Sequence, residues 1–302
     1  MNSSRKPLDG LAVGIMLCLC LCWGVQQVAV KVAAPAVHPV LQIGLRSGIA
    51  ALMVAALMAV RGQRLSLSDG SLWPGVAAGI LFAAEFLCVA LALLYTTASH
   101  VSVFLYTAPI FLVLVLHWRL PDERIDARQW LGVLLAFAGI ALAFAEGFAH
   151  GAVSWRVLGG DALALAGGVL WAATTLLVRT TALAEAAPTT TLLYQLGIAG
   201  LILVALPLAL GARIAPPLPG IAWVSLLFQT VVVGFASFLA WFWLLRHYLT
   251  SRLSVFSFLT PLFGVAFGVL LLDDPISLYF GGGAVLVLAG IVLVNLPRKG
   301  GR

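Results

Sequence analysis

The sequence predicts an all-α integral membrane protein whose ten transmembrane helices form two inverted five-helix repeats. Three observations carry that expectation: extreme apolarity, ten apolar runs of membrane-spanning length, and an internal repeat with an offset near 150 residues. Hydrophobic residues make up 62% of the 302 and charged residues only 9%, with a mean hydropathy of +1.10. Soluble domains carry roughly 25% charged residues, so this chain cannot cover itself with a wetted surface. Its solvent must be lipid.

A helix crosses the hydrocarbon core with about 20 mostly apolar residues. The qualifying runs are 9–32, 39–60, 72–94, 97–117, 128–146, 159–180, 188–210, 220–244, 251–272 and 276–296. Between them lie turn and breaker residues: Pro35 and Pro39, Gly62 to Gly70, Asp122 to Asp126, Gly147 to Gly151, Pro188, Pro216 to Gly220 and Pro275. No separator is long enough for a soluble domain. The first run follows Arg5 and Lys6 as a signal peptide would, but it continues past Trp23 to Val30 without a convincing cleavage site. An uncleaved first membrane helix is expected.

The formal net charge is +6. These charges sit between apolar runs, so they read as topology signals rather than a nucleic-acid footprint, and no nucleic-acid partner is expected. With the N-terminus inside, thirteen of the seventeen Lys and Arg residues fall on inner segments. Arg156, Arg213 and Lys31 fall outside, and Arg46 lies within the second run. Cytoplasmic loops are enriched in basic residues, which places both termini in the cytoplasm. Cys18, Cys20, Cys22 and Cys88 all lie in apolar runs. Steps of two residues point to different sides of a helix, so the first three suit neither a metal nor a disulfide and read as small apolar filler.

The repeat aligns Ser99, Ser102, Val103, Phe104, Pro109 and Phe111 with Ser251, Ser254, Val255, Phe256, Pro261 and Phe263, at an offset of 152. Gly132 and Ala138-Gly139-Ile140 recur as Gly283 and Ala289-Gly290-Ile291 at 151, and Trp23 and Lys31 match Trp171 and Arg179 at 148. This divides the chain into units 1–150 and 151–302. An odd number of helices per unit inserts the second copy upside down, the arrangement many secondary transporters use for alternating access.

Asp122-Glu123-Arg124-Ile125, Gln129-Trp130-Leu131-Gly132 and Ala138-Gly139-Ile140 resemble the EamA-type repeat of the drug/metabolite transporter superfamily, with Ser99 and Pro109 on the preceding helix. The second copy departs from that pattern, with Asp274 in place of Glu and Tyr279-Phe280 in place of Gln-Trp. Within the superfamily the chain looks most similar to the aromatic amino acid exporters of the YddG group. The resemblance implies a ten-helix exporter in a bacterial inner membrane, with amino acids or related metabolites as cargo.

Polar residues deep in a bilayer are costly and face cavities or one another. Glu85 sits thirteen residues into the third run, about 20 Å along its axis. It is a candidate proton-coupling carboxylate or partner for a cargo ammonium; a structural pair with Arg46 explains it as well. Trp23 and Trp171 lie mid-helix, whereas Trp73, Trp118, Trp130, Trp155 and Trp223 sit where interfacial tryptophans are expected. The central two can stack on an aromatic or cationic cargo, or merely pack.

Gln26, Gln27 and Thr175 flank these tryptophans, with Thr174 beside Thr175, and Tyr106 can reach the same interior or serve as core. Gln195 and Gln229 are equally well read as interhelical glue. His100 and Arg252, repeat mates at helix starts, are candidate gates or ordinary solvated helix starts. Pro109 and Pro261 each remove a helix hydrogen bond and are candidate hinges.

No nucleotide-binding loop, metal-spaced cluster or activated nucleophile is visible, so no catalytic residue, cofactor or metal is expected. The expected partners are a small-molecule substrate, the bilayer and coupling protons. Three alternatives remain open: an exporter of cationic drugs or dyes, a membrane-embedded enzyme acting on lipid, and a non-transporting scaffold.

Overall fold

The computed structural model describes residues 9–63, 65, 70–119, 126–149, 154–211, 217–248 and 259–295. Its regular elements are helices: α1 Gly10–Ala33, α2 Pro39–Val60, α3 Leu72–Tyr95, α4 Ala98–Leu105, α5 Ala108–Arg119, α6 Ala127–Ala149, α7 Trp155–Thr180 and α8 Pro188–Ala209. After them come α9 Gly220–Leu227, a π-helical segment Phe228–Ser237, α10 Phe238–His247, α11 Leu259–Leu272 and α12 Leu278–Asn295. A short 3-10 turn, Ala182–Ala184, leads from α7 towards α8.

Six described helices are long and apolar enough to cross a membrane: Gly10–Ala33, Pro39–Val60, Leu72–Tyr95, Trp155–Thr180, Pro188–Ala209 and Gly220–Trp241. Shorter apolar helices occupy the other four expected positions, at Ala98–Leu112, Ala127–Ala143, Leu259–Leu272 and Leu278–Val294. The outward faces are apolar, as lipid requires. Trp73, Trp118, Trp155 and Trp223 are largely exposed, and Trp130 is exposed to a lesser degree.

Helix starts follow local chemistry. Asp9 caps α1 by accepting from the Ala12 amide at 2.9 Å, and its other carboxylate oxygen accepts from the Tyr248 hydroxyl at the end of α10. Pro39 and Pro188 open α2 and α8, where a missing N–H costs nothing. At α6, Asp126 and Gln129 exchange side-chain and backbone hydrogen bonds at 2.8 and 3.1 Å. This is a reciprocal capping box, and the Gln129 amide also donates to the Val294 carbonyl of α12.

The predicted span 97–117 is broken rather than continuous, because α4 stops at Leu105 and α5 starts at Ala108. Pro109 has no N–H to offer the Leu105 carbonyl. The Thr107 hydroxyl instead donates to the Phe104 carbonyl, and Gly168 of α7 lets that exposed backbone come close. Within the predicted span 220–244, the backbone widens into the π segment, which hydropathy alone did not foreshadow.

Backbone-to-backbone glycine contacts hold the bundle together, as expected where lipid supplies no hydrophobic drive between helices. The principal helix pairs are α6 with α12, α3 with α7, α2 with α8, α3 with α8 and α1 with α11. Along α6–α12, a Cβ on Gly139 would lie 2.5 Å from the Gly283 carbonyl oxygen, and one on Gly132 would lie 2.7 Å from that of Gly290. On α2–α8, a Cβ on Gly200 would lie 2.6 Å from the Gly48 Cα. The sequence offsets relate these contacts: 151 carries the Gly132–Gly290 contact onto Gly139–Gly283, and Gly48 and Gly200 differ by 152.

Candidate functional site

Tyr106 occupies the break between α4 and α5, and its ring meets Trp171 of α7 edge-on at 5.2 Å. One turn before Trp171, a Cβ on Gly167 would lie 3.4 Å from the Leu105 side chain and 3.6 Å from the Glu85 carbonyl oxygen. The break in the chain therefore lies where α3, α4 and α7 converge. Glu85 is buried, and its Oε2 has no hydrogen-bond partner among the described residues.

Arg46 of α2 is completely buried. Its guanidinium carbon stands 4.5 Å over the Phe86 ring, a cation–π contact. None of its three guanidinium nitrogens has a hydrogen-bond partner among the described residues. No hydrogen bond joins the Arg46 guanidinium to Glu85, the residue that precedes Phe86 on α3. Gly234 of the π segment makes room for the arginine, since a Cβ there would lie 3.3 Å from the Arg46 Cγ.

Trp23 faces a different wall. Its Nε1 donates to the Ser237 hydroxyl at 3.0 Å, and its ring stands edge-on to Trp241 at 5.9 Å, next to Phe263. Each central tryptophan thus has its own aromatic partner. Beyond Ser237, a groove of about 420 Å³ runs between α1 and the π segment, lined by apolar residues including Ile15, Cys18 and Cys22. Its lining suits lipid tails.

Gln26 and Gln27 are buried, and the Gln27 Oε1 has no hydrogen-bond partner among the described residues. Thr175 spends its hydroxyl within α7, donating to the Trp171 carbonyl at 2.9 Å, a back-bond common for threonine in membrane helices. Pro109 is the second residue of α5, and Pro261, buried, is the third of α11. Arg252 lies outside the described residues.

His100 is buried rather than solvated. Its Nδ1 lies 2.9 and 3.0 Å from the two carboxylate oxygens of Asp161 on α7, and its ring stacks on Phe280 of α12 at 4.0 Å. Asp161 also accepts from the Thr96 hydroxyl at 2.6 Å, and the Thr96 carbonyl accepts from Lys31 at 2.8 Å. Beside them Asp274 accepts from the amide and hydroxyl of Ser99, both at 3.0 Å, which caps the start of α4 from across the bundle.

Sequence reasoning passed over Asp161, Gln42 and Ser225. Gln42 donates to the Val30 and Val37 carbonyls and accepts from Gln229, which also donates to Ser225. Ser225 donates to the Ala29 carbonyl. Each is a polar residue inside an apolar run, and that was the available signal. Among the described residues, no group of three His, Cys, Asp or Glu side chains could hold a metal ion.

The chain resembles known transporters along most of its length. It is 28% identical to an uncharacterized transporter of Archaeoglobus fulgidus over 72% of this chain and 73% of that one. It is 23% identical to the uncharacterized transporter YoaV of Bacillus subtilis over 90% and 92%, and 27% identical to YvbV of the same organism over 97% and 95%. A protein crystal structure 22% identical in sequence superposes with a TM-score of 0.64 over 94% of this chain and 97% of the other, a likeness of fold. The model of the EamA-like transporter family matches twice, over residues 10–145 and 158–296, and the chain belongs to that family.

Proposed function

We propose that this protein is a secondary active transporter that exports amino acids, aromatic ones among them, or related small metabolites across a bacterial inner membrane. It works by alternating access, with ten helices in two inverted halves, 1–150 and 151–302, and both termini in the cytoplasm. The observation that carries this reading is the Tyr106–Trp171 contact at the convergence of α3, α4 and α7, with the buried and partly unpartnered Glu85 on α3. Aromatic faces suit an aromatic or cationic group, and a buried carboxylate suits an ammonium. The offset-related glycine contacts support two equivalent halves, because a two-fold axis brings equivalent surfaces together.

Glu85 couples export to protons if proton and cargo ammonium compete for the same carboxylate. Reconstituted protein should transport amino acids in a substrate panel and respond to a pH gradient. Glu85→Gln should lose that response, and a variant that responds like the wild type would remove Glu85 from coupling. Trp171→Ala should weaken counterflow of labelled tryptophan about tenfold, on the scale of one lost aromatic contact, while affecting alanine little. Equal losses for both cargoes would make Trp171 a packing residue. Arg46 beside Glu85 disfavours the cationic-drug alternative, and counterflow of tryptophan against a viologen-type cation separates the two readings.

A further inference from the structure

Arg46 is the largest fully buried side chain that finds no hydrogen bond among the described residues. A guanidinium carries five N–H donors in a planar fork, and leaving such a charge dry and unpaired is strongly disfavoured. An arginine retained only for structure would be expected to close on a carboxylate such as Glu85, which adjoins Phe86 in sequence. Instead the guanidinium makes no hydrogen bond among the described residues, and one oxygen of Glu85 is also unpartnered. Two opposite charges left without a hydrogen bond in a low-dielectric interior call for a ligand carrying both complements.

A second, independent feature frames the same position. The ten residues Phe228–Ser237 are wound as a π helix, and its Gly234 is the residue that meets the Arg46 stem and Ala50. π segments are rare and concentrate at functional sites. The Phe86 ring covers one face of the guanidinium, and its edge donors make no hydrogen bond among the described residues.

We infer that Arg46 is the carboxylate-binding subsite of the transport site, and that Glu85 takes the ammonium of the same cargo, a zwitterionic amino acid. The guanidinium fork matches a carboxylate through two parallel hydrogen bonds, which a lysine cannot reproduce. This assignment rests on the transporter reading above and narrows its cargo.

The test pairs each amino acid with the amine that lacks its carboxylate: tryptophan with tryptamine, leucine with isoamylamine, lysine with cadaverine. Indole-3-propionate supplies a carboxylate without the ammonium. Ligand-dependent melting of purified protein in detergent reports binding, and counterflow in proteoliposomes reports transport. The wild type should favour at least one amino acid over its amine by about tenfold or more, since buried donors left unpaired penalise the analogue.

Arg46→Gln should abolish that preference, Arg46→Lys should retain part of it, and Glu85→Gln should improve binding of indole-3-propionate. The double variant Arg46→Gln/Glu85→Gln removes both buried charges and guards against misfolding of the single variant. It should fold yet fail to tell tryptophan from tryptamine. A double variant that keeps the wild-type preference, or a wild type whose melting no carboxylate shifts, overturns the assignment. If carboxylates shift melting through Arg46 while no compound counterflows, the subsite stands and the transport reading falls.

Discussion

Replacing Gly139 with leucine should break the seam between α6 and α12 and lower the melting temperature of the purified protein sharply. A Cβ at this position would already sit 2.5 Å from the Gly283 carbonyl oxygen and 2.7 Å from the Val287 amide nitrogen. Those obstacles are backbone atoms, which cannot rotate away as a side chain can. Overpacking usually costs about 1–3 kcal/mol, and a leucine facing main chain belongs at the top of that range. Gly197 of α8 is the control, because a Cβ there meets nothing within 4 Å. Gly197→Ala should leave stability unchanged or raise it slightly, as alanine is the better helix former. Equal melting of the two variants in the same detergent would mean that the glycine seam does not hold the bundle.

The second large effect is expected at Asp161. It is 2% exposed and accepts from both Thr96 and His100. Asp161→Leu strips those donors of their acceptor in the interior, where each unsatisfied group costs about 1–3 kcal/mol. Asp161→Asn keeps an oxygen of the same shape and should lose less. A double-mutant cycle with His100→Asn isolates the shared term, because residues in one hydrogen-bond network depart from additivity. Strictly additive losses in unfolding free energy would show that Asp161 and His100 act independently. The network extends to Lys31 of α1 through the Thr96 carbonyl, so these losses should also loosen the join between α1 and the end of α3.

Much of the candidate site was legible because polar residues stand out against hydrocarbon. Trp171 and Tyr106 stand out in the sequence and touch at the α4–α5 break, and the backbone of Glu85 packs one turn away, against Gly167. The role of Arg46 was not legible in the same way. A sequence shows that an arginine lies in a span, but whether its guanidinium closes on a carboxylate is decided by the spacing of helices. His100 illustrates the same limit. At the start of a predicted helix it reads as solvated, yet Phe280 and Asp161, remote along the chain, bury it completely enough to make it part of the core.

Residence in lipid, the positions of the helical runs and the residues that repeat at offsets near 150 can all be read along the chain. Hydropathy and charge placement act locally and add up along the chain, so one dimension suffices to read them. Packing in three dimensions sets which glycines meet backbone to backbone, where the π segment widens the helix and which buried charges lack a hydrogen bond. Those depend on close approach between segments far apart in sequence, such as the two ends of the Asp9–Tyr248 hydrogen bond, 239 residues apart. Such distances are set by packing, which no single run of sequence contains.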